Sequence, residues 1–154
     1  MILKIGDKVP HFNLPDQKGE DFDINSVLGS KPLVIYFYPK NFTPGCTKEA
    51  CSFRDSYEDF KQMGAEVIGI SSDSSNSHSR FVERYELPYI MLSDSNGKVR
   101  KQFGVKSELL GLIPGRETFV VDKEGILVMR YNSMKATTHI NKALGAVKKL
   151  INEQ

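Results

Sequence analysis

A chain of 154 residues with 40% hydrophobic side chains is long enough to bury a core without disulfide or metal staples. Its 21 basic and 19 acidic residues are scattered, which leaves no electrostatic footprint for nucleic acid or an anionic membrane. The opening MILKIGDKVPHF lacks the apolar core of a secretory signal, and no segment approaches the roughly 20 apolar residues of a membrane span. The expectation is one cytoplasmic domain over residues 1–154.

In chain order, FNLPDQKGEDFDI predicts a short hairpin turning at Lys18 and Gly19. Leu33 to Tyr38, LVIYFY, is an apolar run rich in strand formers and predicts a central strand covered on both faces. Pro39 ends it, because proline has no backbone donor. Cys46, Ala50, Phe53, Tyr57 and Phe60 then recur at steps of four and three along one face of a helix that Gly64 stops. Lys48, Glu49, Arg54, Asp55, Glu58, Asp59 and Lys61 take the remainder.

Further on, EVIGISS (Glu66 to Ser72) predicts a strand, Ser79 to Tyr85 a helix, and Ile90 to Leu92 a short strand. The turn SDSNGK leads into a short helix ending near Phe103. TFVVD and ILVMRY, joined at Lys123, Glu124 and Gly125, predict a hairpin. The last element is an amphipathic helix with Ile140, Ala143, Leu144, Val147, Leu150 and Ile151 on one face. Alternating strands and helices closed by a hairpin and a helix predict an α/β fold with a mixed sheet.

The chain holds two cysteines, Cys46 and Cys51, in NFTPGCTKEAC. Three readings compete with a reactive pair. Cysteine is often a small buried hydrophobe. Zinc needs about four ligands, whereas His11, His78 and His139 stand apart, as surface or capping residues. A dithiol exchanger normally spaces its cysteines as C-x-x-C, and here four residues intervene. Against these stands the setting of Cys46, in the first turn of a helix at the end of a core strand, where open α/β sheets place ligand crevices.

A thiol near a helix N-terminus is stabilised as the thiolate by unpaired N–H groups and the positive end of the macrodipole. Attack on a peroxide leaves a sulfenic acid, which a second thiol traps as a disulfide. Five residues of regular helix separate two Cα atoms by about 8.7 Å, more than the roughly 7 Å a disulfide tolerates. Bonding between Cys46 and Cys51 therefore requires the first turn or more to unravel, which Gly45 and Thr47 favour as weak helix formers.

The stretch YPKNFTPGCTKEAC carries P-x-x-x-T-x-x-C and resembles the peroxiredoxin active site, in its bacterioferritin-comigratory-protein or peroxiredoxin Q branch. Similarity extends through GDKVPHFNLP, VIGISSD and PGRETFVVD. The resemblance implies a thioredoxin-like fold and a peroxidase for hydrogen peroxide and organic hydroperoxides, recycled by thioredoxin, without metal, haem or flavin. It casts Cys46 as the peroxidatic cysteine and Cys51 as the resolving one, joined in an intramolecular disulfide. It further implies that Thr43 hydrogen-bonds thiolate and peroxide, Pro39 shields the pocket, Arg116 holds the thiolate and polarises the O–O bond, and Glu49 anchors local hydrogen bonds.

Asn41 stands where many relatives carry aspartate, which alters pocket electrostatics. The resemblance also implies a monomer. Leu109, Leu110, Leu112 and Ile113 are apolar residues that could cover the site, form a contact or pack on the sheet. Two rival functions remain open from the sequence: a general thiol-disulfide oxidoreductase, which would reduce protein disulfides and consume little peroxide, and a redox sensor without turnover.

Overall fold

The computed structural model of the protein describes residues 3–108 and 113–153. The N-terminal hairpin pairs β1 (Asn13–Pro15) with β2 (Asp21–Asp23), antiparallel as expected. Its turn is held by Asp16, whose Oδ1 accepts from the amides of Lys18 and Glu20. Asp23 then caps a 3-10 turn, Ile24–Ser26, that sends Ile24 into the core.

The chain continues through β3 (Leu33–Phe37), α1 (Pro44–Asp55), α2 (Tyr57–Gln62), β4 (Glu66–Ser71), α3 (Ser75–Tyr85) and β5 (Ile90–Ser93). There follow α4 (Lys98–Phe103), the two-residue pair β6 (Ser107–Glu108) and β7 (Ile113–Pro114), and β8 (Glu117–Val121). β9 (Leu127–Asn132), a 3-10 turn at Ala136–Thr138, and α5 (His139–Asn152) complete it. Leu109, Leu110 and Leu112, weighed above as a possible cover for the site, lie outside the described residues together with the side chain of Ile113.

The principal sheet runs in the order β5-β4-β3-β8-β9, with β3, β4 and β5 parallel and β8 antiparallel to both its neighbours. This is the mixed sheet expected, with β3 at its centre. All five β3 residues are buried, because the pleat sends them alternately into two cores. Leu33, Ile35 and Phe37 join Phe12, Ile24 and Phe103 on one face. Val34 and Tyr36 meet Phe53 of α1, Phe60 of α2, Phe81 of α3 and Val147 of α5 on the other. Phe53 stacks on Tyr36 with ring centroids 4.6 Å apart, and burying one such ring stabilises the fold by about 2 to 3 kcal/mol.

Two helices differ from expectation. The single helix read from Cys46 to Phe60 is broken at Ser56, whose φ of -103° and ψ of 4° leave the helical region. Its amide still bonds the Ser52 carbonyl, so the apolar face resumes in register and delivers Phe60 to the core. Helix α3 begins at Ser75, four residues before the expected Ser79, because the Ser74 hydroxyl accepts from the Ser77 amide and caps it. Among the described residues no helix is long and apolar enough to cross a membrane.

Candidate active site

The site is built where β3 gives way to α1. Pro39, half-buried, removes the next backbone donor, and the chain is caught again at Asn41, whose amide donates to Asp73 Oδ2 at 2.9 Å. Phe42 follows with φ of +66°, a left-handed conformation unusual for a bulky residue, and stays 48% exposed. Its ring lies edge-on to Phe81, 5.1 Å away. That reversal aims the chain into α1, with Thr43 as N-cap in extended geometry and Pro44 at the first position, where a missing N–H costs nothing. Cys46 is the third residue of the helix, 1% exposed, with its sulfur at the positive end of the peptide dipoles.

Arg116 reaches this sulfur from the segment just before β8. Its Nη2 donates to Cys46 Sγ at 3.3 Å, its Nη1 to Glu49 Oε1 at 2.5 Å and its Nε to the Met134 carbonyl at 3.2 Å. The planar fork is thus fixed at all three nitrogens, a rigid spread of donors that the single nitrogen of an ammonium cannot reproduce. Burial works against the arginine's charge, but Glu49 and Cys46 beside it more than offset that.

Two glycines make room. A Cβ at Gly45 would lie 3.2 Å from Arg116 Nη2, and one at Gly115 only 1.9 Å from the Lys106 carbonyl oxygen, a distance no side chain could keep.

Glu49 sits among the charged residues of α1 in the sequence, yet the structure buries it completely. Position 49 is three residues after Cys46 and four before Phe53, so it belongs to the inner stripe, a spacing signal that the residue's charge obscures. Burial pushes its carboxyl up to about 8 against the opposing pull of Arg116. Its second oxygen, Oε2, has no hydrogen-bond partner and lies 3.6 Å from His139 Nδ1.

The histidines correct the expectation of surface or capping roles. His11 is exposed and meets Asp23 at 2.9 Å, but His78 and His139 are both fully buried. His78 Nε2 donates to the Leu92 carbonyl at 2.9 Å, and its Nδ1 receives Asn41 Nδ2 at 2.9 Å. Asn41 Oδ1 also accepts from the Tyr38 hydroxyl. His139 Nε2 donates to the Ser133 carbonyl at 2.7 Å, with Nδ1 2.8 Å from the Thr118 hydroxyl. Burial holds both imidazoles below the ordinary histidine range.

Of the remaining expected residues, Thr43 donates its hydroxyl to the Lys40 carbonyl at 2.9 Å, so in this arrangement that proton points away from the sulfur. Cys51 is half-buried on the same unbroken helix as Cys46, and both are free thiols. The turn between them is held by Tyr89, whose hydroxyl donates to the Ala50 carbonyl at 2.8 Å and meets the Tyr36 hydroxyl at 2.8 Å. The structure therefore gathers Cys46, Arg116 and Glu49 into direct contact. It leaves Cys51, Thr43 and Pro39 around them, brings in His139, which the sequence had assigned to a surface or capping role, and adds Thr118 and Tyr89, which the sequence did not single out.

Known proteins share this sequence and this fold. Residues 5–130 match the AhpC/TSA family. The chain is 51% identical over 146 residues to the chloroplastic peroxiredoxin Q of Sedum lineare, covering 94% of this chain and 78% of that protein. It is 51% identical over 144 residues to the Arabidopsis thaliana protein of the same name, covering 93% of this chain and 66% of that one. Among solved structures, peroxidoxin BcpB of Mycobacterium tuberculosis superposes with a TM-score of 0.88 at 40% identity, covering 96% of this chain and 98% of that one. A Xanthomonas campestris bacterioferritin comigratory protein studied for alkyl peroxide reduction superposes with a TM-score of 0.85 at 28% identity, covering 97% and 98%. The matched residues include the strand, the helix and the arginine segment that meet at Cys46. The chain accordingly belongs to the AhpC/TSA family, in its peroxiredoxin Q and bacterioferritin-comigratory-protein branch, with the thioredoxin-like fold of that branch and the activity of a thiol-dependent peroxidase.

Proposed function

We propose that Cys46 is the peroxidatic residue and Cys51 the resolving one, in a single domain that acts as a cytoplasmic monomer on hydrogen peroxide and organic hydroperoxides. The observation that carries this reading is the Arg116 Nη2 to Cys46 Sγ contact of 3.3 Å at the start of α1. The thiolate attacks the outer peroxide oxygen, the O–O bond breaks, and the departing oxygen leaves as water or alcohol after taking up a proton. Arg116 stabilises both the thiolate and the charge developing on the leaving oxygen. Cys46 is left as the sulfenic acid.

The Cys51 thiol then attacks that sulfur, water departs, and a disulfide remains. Because α1 is continuous between the cysteines, this step needs the helix opened, and Tyr89 must release Ala50 or follow it. A dithiol reductant of the thioredoxin class returns both thiols and becomes a disulfide itself. Pro39 shields the sulfur, and Thr43 turns its hydroxyl from Lys40 toward the arriving peroxide.

Peroxide consumption coupled to a thioredoxin system tests the reading. Cys46→Ser is expected to abolish turnover, and Cys51→Ser to allow one rapid oxidation per thiol with poor recycling. Full activity in Cys46→Ser, or efficient reduction of unrelated protein disulfides with little peroxide consumed, would sink it. Indistinguishable amide exchange along α1 in the reduced and oxidised forms would remove the unwinding step.

A further inference from the structure

The buried carboxyl beside Arg116 poses a problem of proton placement. Glu49 Oε1 is held by Arg116, while Oε2 is buried with no hydrogen-bond partner, 3.6 Å from His139 Nδ1. The Ser133 carbonyl can only accept, so the hydrogen of a neutral His139 sits on Nε2. Nδ1 then presents a lone pair, which the Thr118 hydroxyl can approach as donor. An ionised Oε2 would bring a second lone pair against that nitrogen in a site closed to water. Such a contact is unfavourable for both groups. One proton placed between them removes the conflict, on Oε2 facing Nδ1 or on Nδ1 facing Oε2.

Charge bookkeeping across the cluster gives this proton a role. Without it, thiolate and carboxylate share the single positive charge of Arg116, and the buried group carries a net charge of about −1. With it, Glu49 and His139 together are neutral and the guanidinium charge is left to the sulfur. Resting on the assignment of Cys46 as the reacting thiol, we propose that Glu49 and His139 hold one proton jointly, and that His139 is thereby a positioning residue of the peroxidase reaction, acting through Glu49 and Arg116.

Groups facing the pair from the surrounding elements leave it as the titrating unit. Tyr36 of β3 and Tyr89 before β5 are kept neutral by burial, which raises both phenols above their ordinary value. Glu117 of β8 is paired with Arg130 of β9 at 2.6 Å. Tyr131 of β9, its ring centroid 4.9 Å from that of His139 and 5.5 Å from Lys142 Nζ, is held below its usual value by its bond to Thr138. Among the described residues packed on the pair from β9, Tyr131 could mimic it at alkaline pH, and it can be removed.

The test is the rate constant for single-turnover oxidation of Cys46 by hydrogen peroxide, from about pH 6 to about pH 9.5. In the wild type the rate is expected to fall above about pH 8, where Glu49 is placed by its burial, by close to tenfold per unit. Glu49→Gln, which keeps the shape and cannot ionise, loses that descending limb. His139→Leu displaces its midpoint by about one unit or more, and Tyr131→Phe leaves it in place. In wild-type protein labelled with nitrogen-15, both His139 ring nitrogens shift through the same midpoint, a measurement that needs no substitution. The proposal is overturned by an absent wild-type limb, by a limb that survives Glu49→Gln or vanishes with Tyr131→Phe, by an unmoved midpoint in His139→Leu, or by nitrogen shifts flat across the limb. If peroxide oxidises Cys46 at no pH, the catalytic assignment falls, while the nitrogen titration still decides whether the pair shares a proton.

Discussion

His78 of α3 and His139 of α5 occupy matching places on either side of β3. The first reaches the β5 side by donating to Leu92, the second the β8 side through Thr118. Each is fully buried, each donates from Nε2 to a carbonyl, and each turns Nδ1 toward the active-site region. Their partners differ in kind. His78 meets an amide, Asn41 Nδ2, which donates at every pH. His139 faces the carboxyl of Glu49, which can gain or lose a proton. The same imidazole geometry thus acts as a fixed brace on one side, holding the loop before α1, and as part of an ionisable cluster around Arg116 on the other.

The largest expected effect lies on the ionisable side. Arg116→Ala should lower the second-order rate constant for peroxide by about 10²- to 10³-fold, the usual loss when a preorganised charge donor is removed. Asn41→Ala on the braced side should act mainly on stability. It leaves His78 Nδ1 and the Tyr38 hydroxyl only each other, 3.5 Å apart, in place of two shorter bonds, a loss of about 1 to 3 kcal/mol readable by urea denaturation. A rate loss in Asn41→Ala as large as in Arg116→Ala would erase the contrast.

Stability against pH should separate the two sides next. Both folded imidazoles are held below the ordinary histidine value of 6.5, so the unfolded chain binds protons there first on acidification. Their contribution is full above about pH 6.5 and is lost as the pH falls. Glu49 works in the opposite sense: raised from 4.5 to about 8, it keeps a proton that the unfolded chain has already released. Its contribution is full below about pH 4.5 and is lost as the pH rises toward about 8. Urea midpoints of Glu49→Gln should therefore lose the alkaline decline and keep the acid one.

A smaller effect follows from making the two sides alike. Asn41→Asp places a carboxylate where the amide lies 2.9 Å from His78 Nδ1, favouring the imidazolium. The nuclear magnetic resonance titration of His78 should move up by about one unit or more. The smallest effect is expected outside the comparison, at the exposed pair of His11 with Asp23, where His11→Ala should leave the thermal midpoint unchanged.

What the sequence discloses tracks how local its causes are. The β3 run, the two hairpins and the stripe of α5 follow from periodicity and turn residues within a few positions, and all lie close to where pattern reading puts them. Cys46 at a helix start is legible for the same reason. Burial of Glu49, His78 and His139 is not, because the groups that make it tolerable come from distant segments: Arg116 lies 67 residues from Glu49 and Asn41 lies 37 from His78. Lone polar residues read as surface until those partners are known. The close pass of Gly115 by the Lys106 carbonyl, which only a residue without a side chain allows, is likewise set by a distant partner and shows only in the fold.

The interruption at Ser56 bears on how far a redox cycle can disturb the protein. Any fraying that starts at Pro44 runs out of helix at Asp55, because α2 begins a new ladder of its own. Arg54 pins that boundary by donating to the Tyr85 carbonyl at 2.8 Å. Phe60, beyond it, keeps its seat against the sheet. The break behaves as a firebreak: the turns that carry the two cysteines can be remodelled and rewound while Phe60, on its own short helix, keeps its part of the hydrophobic roof over β3 and β4 shut.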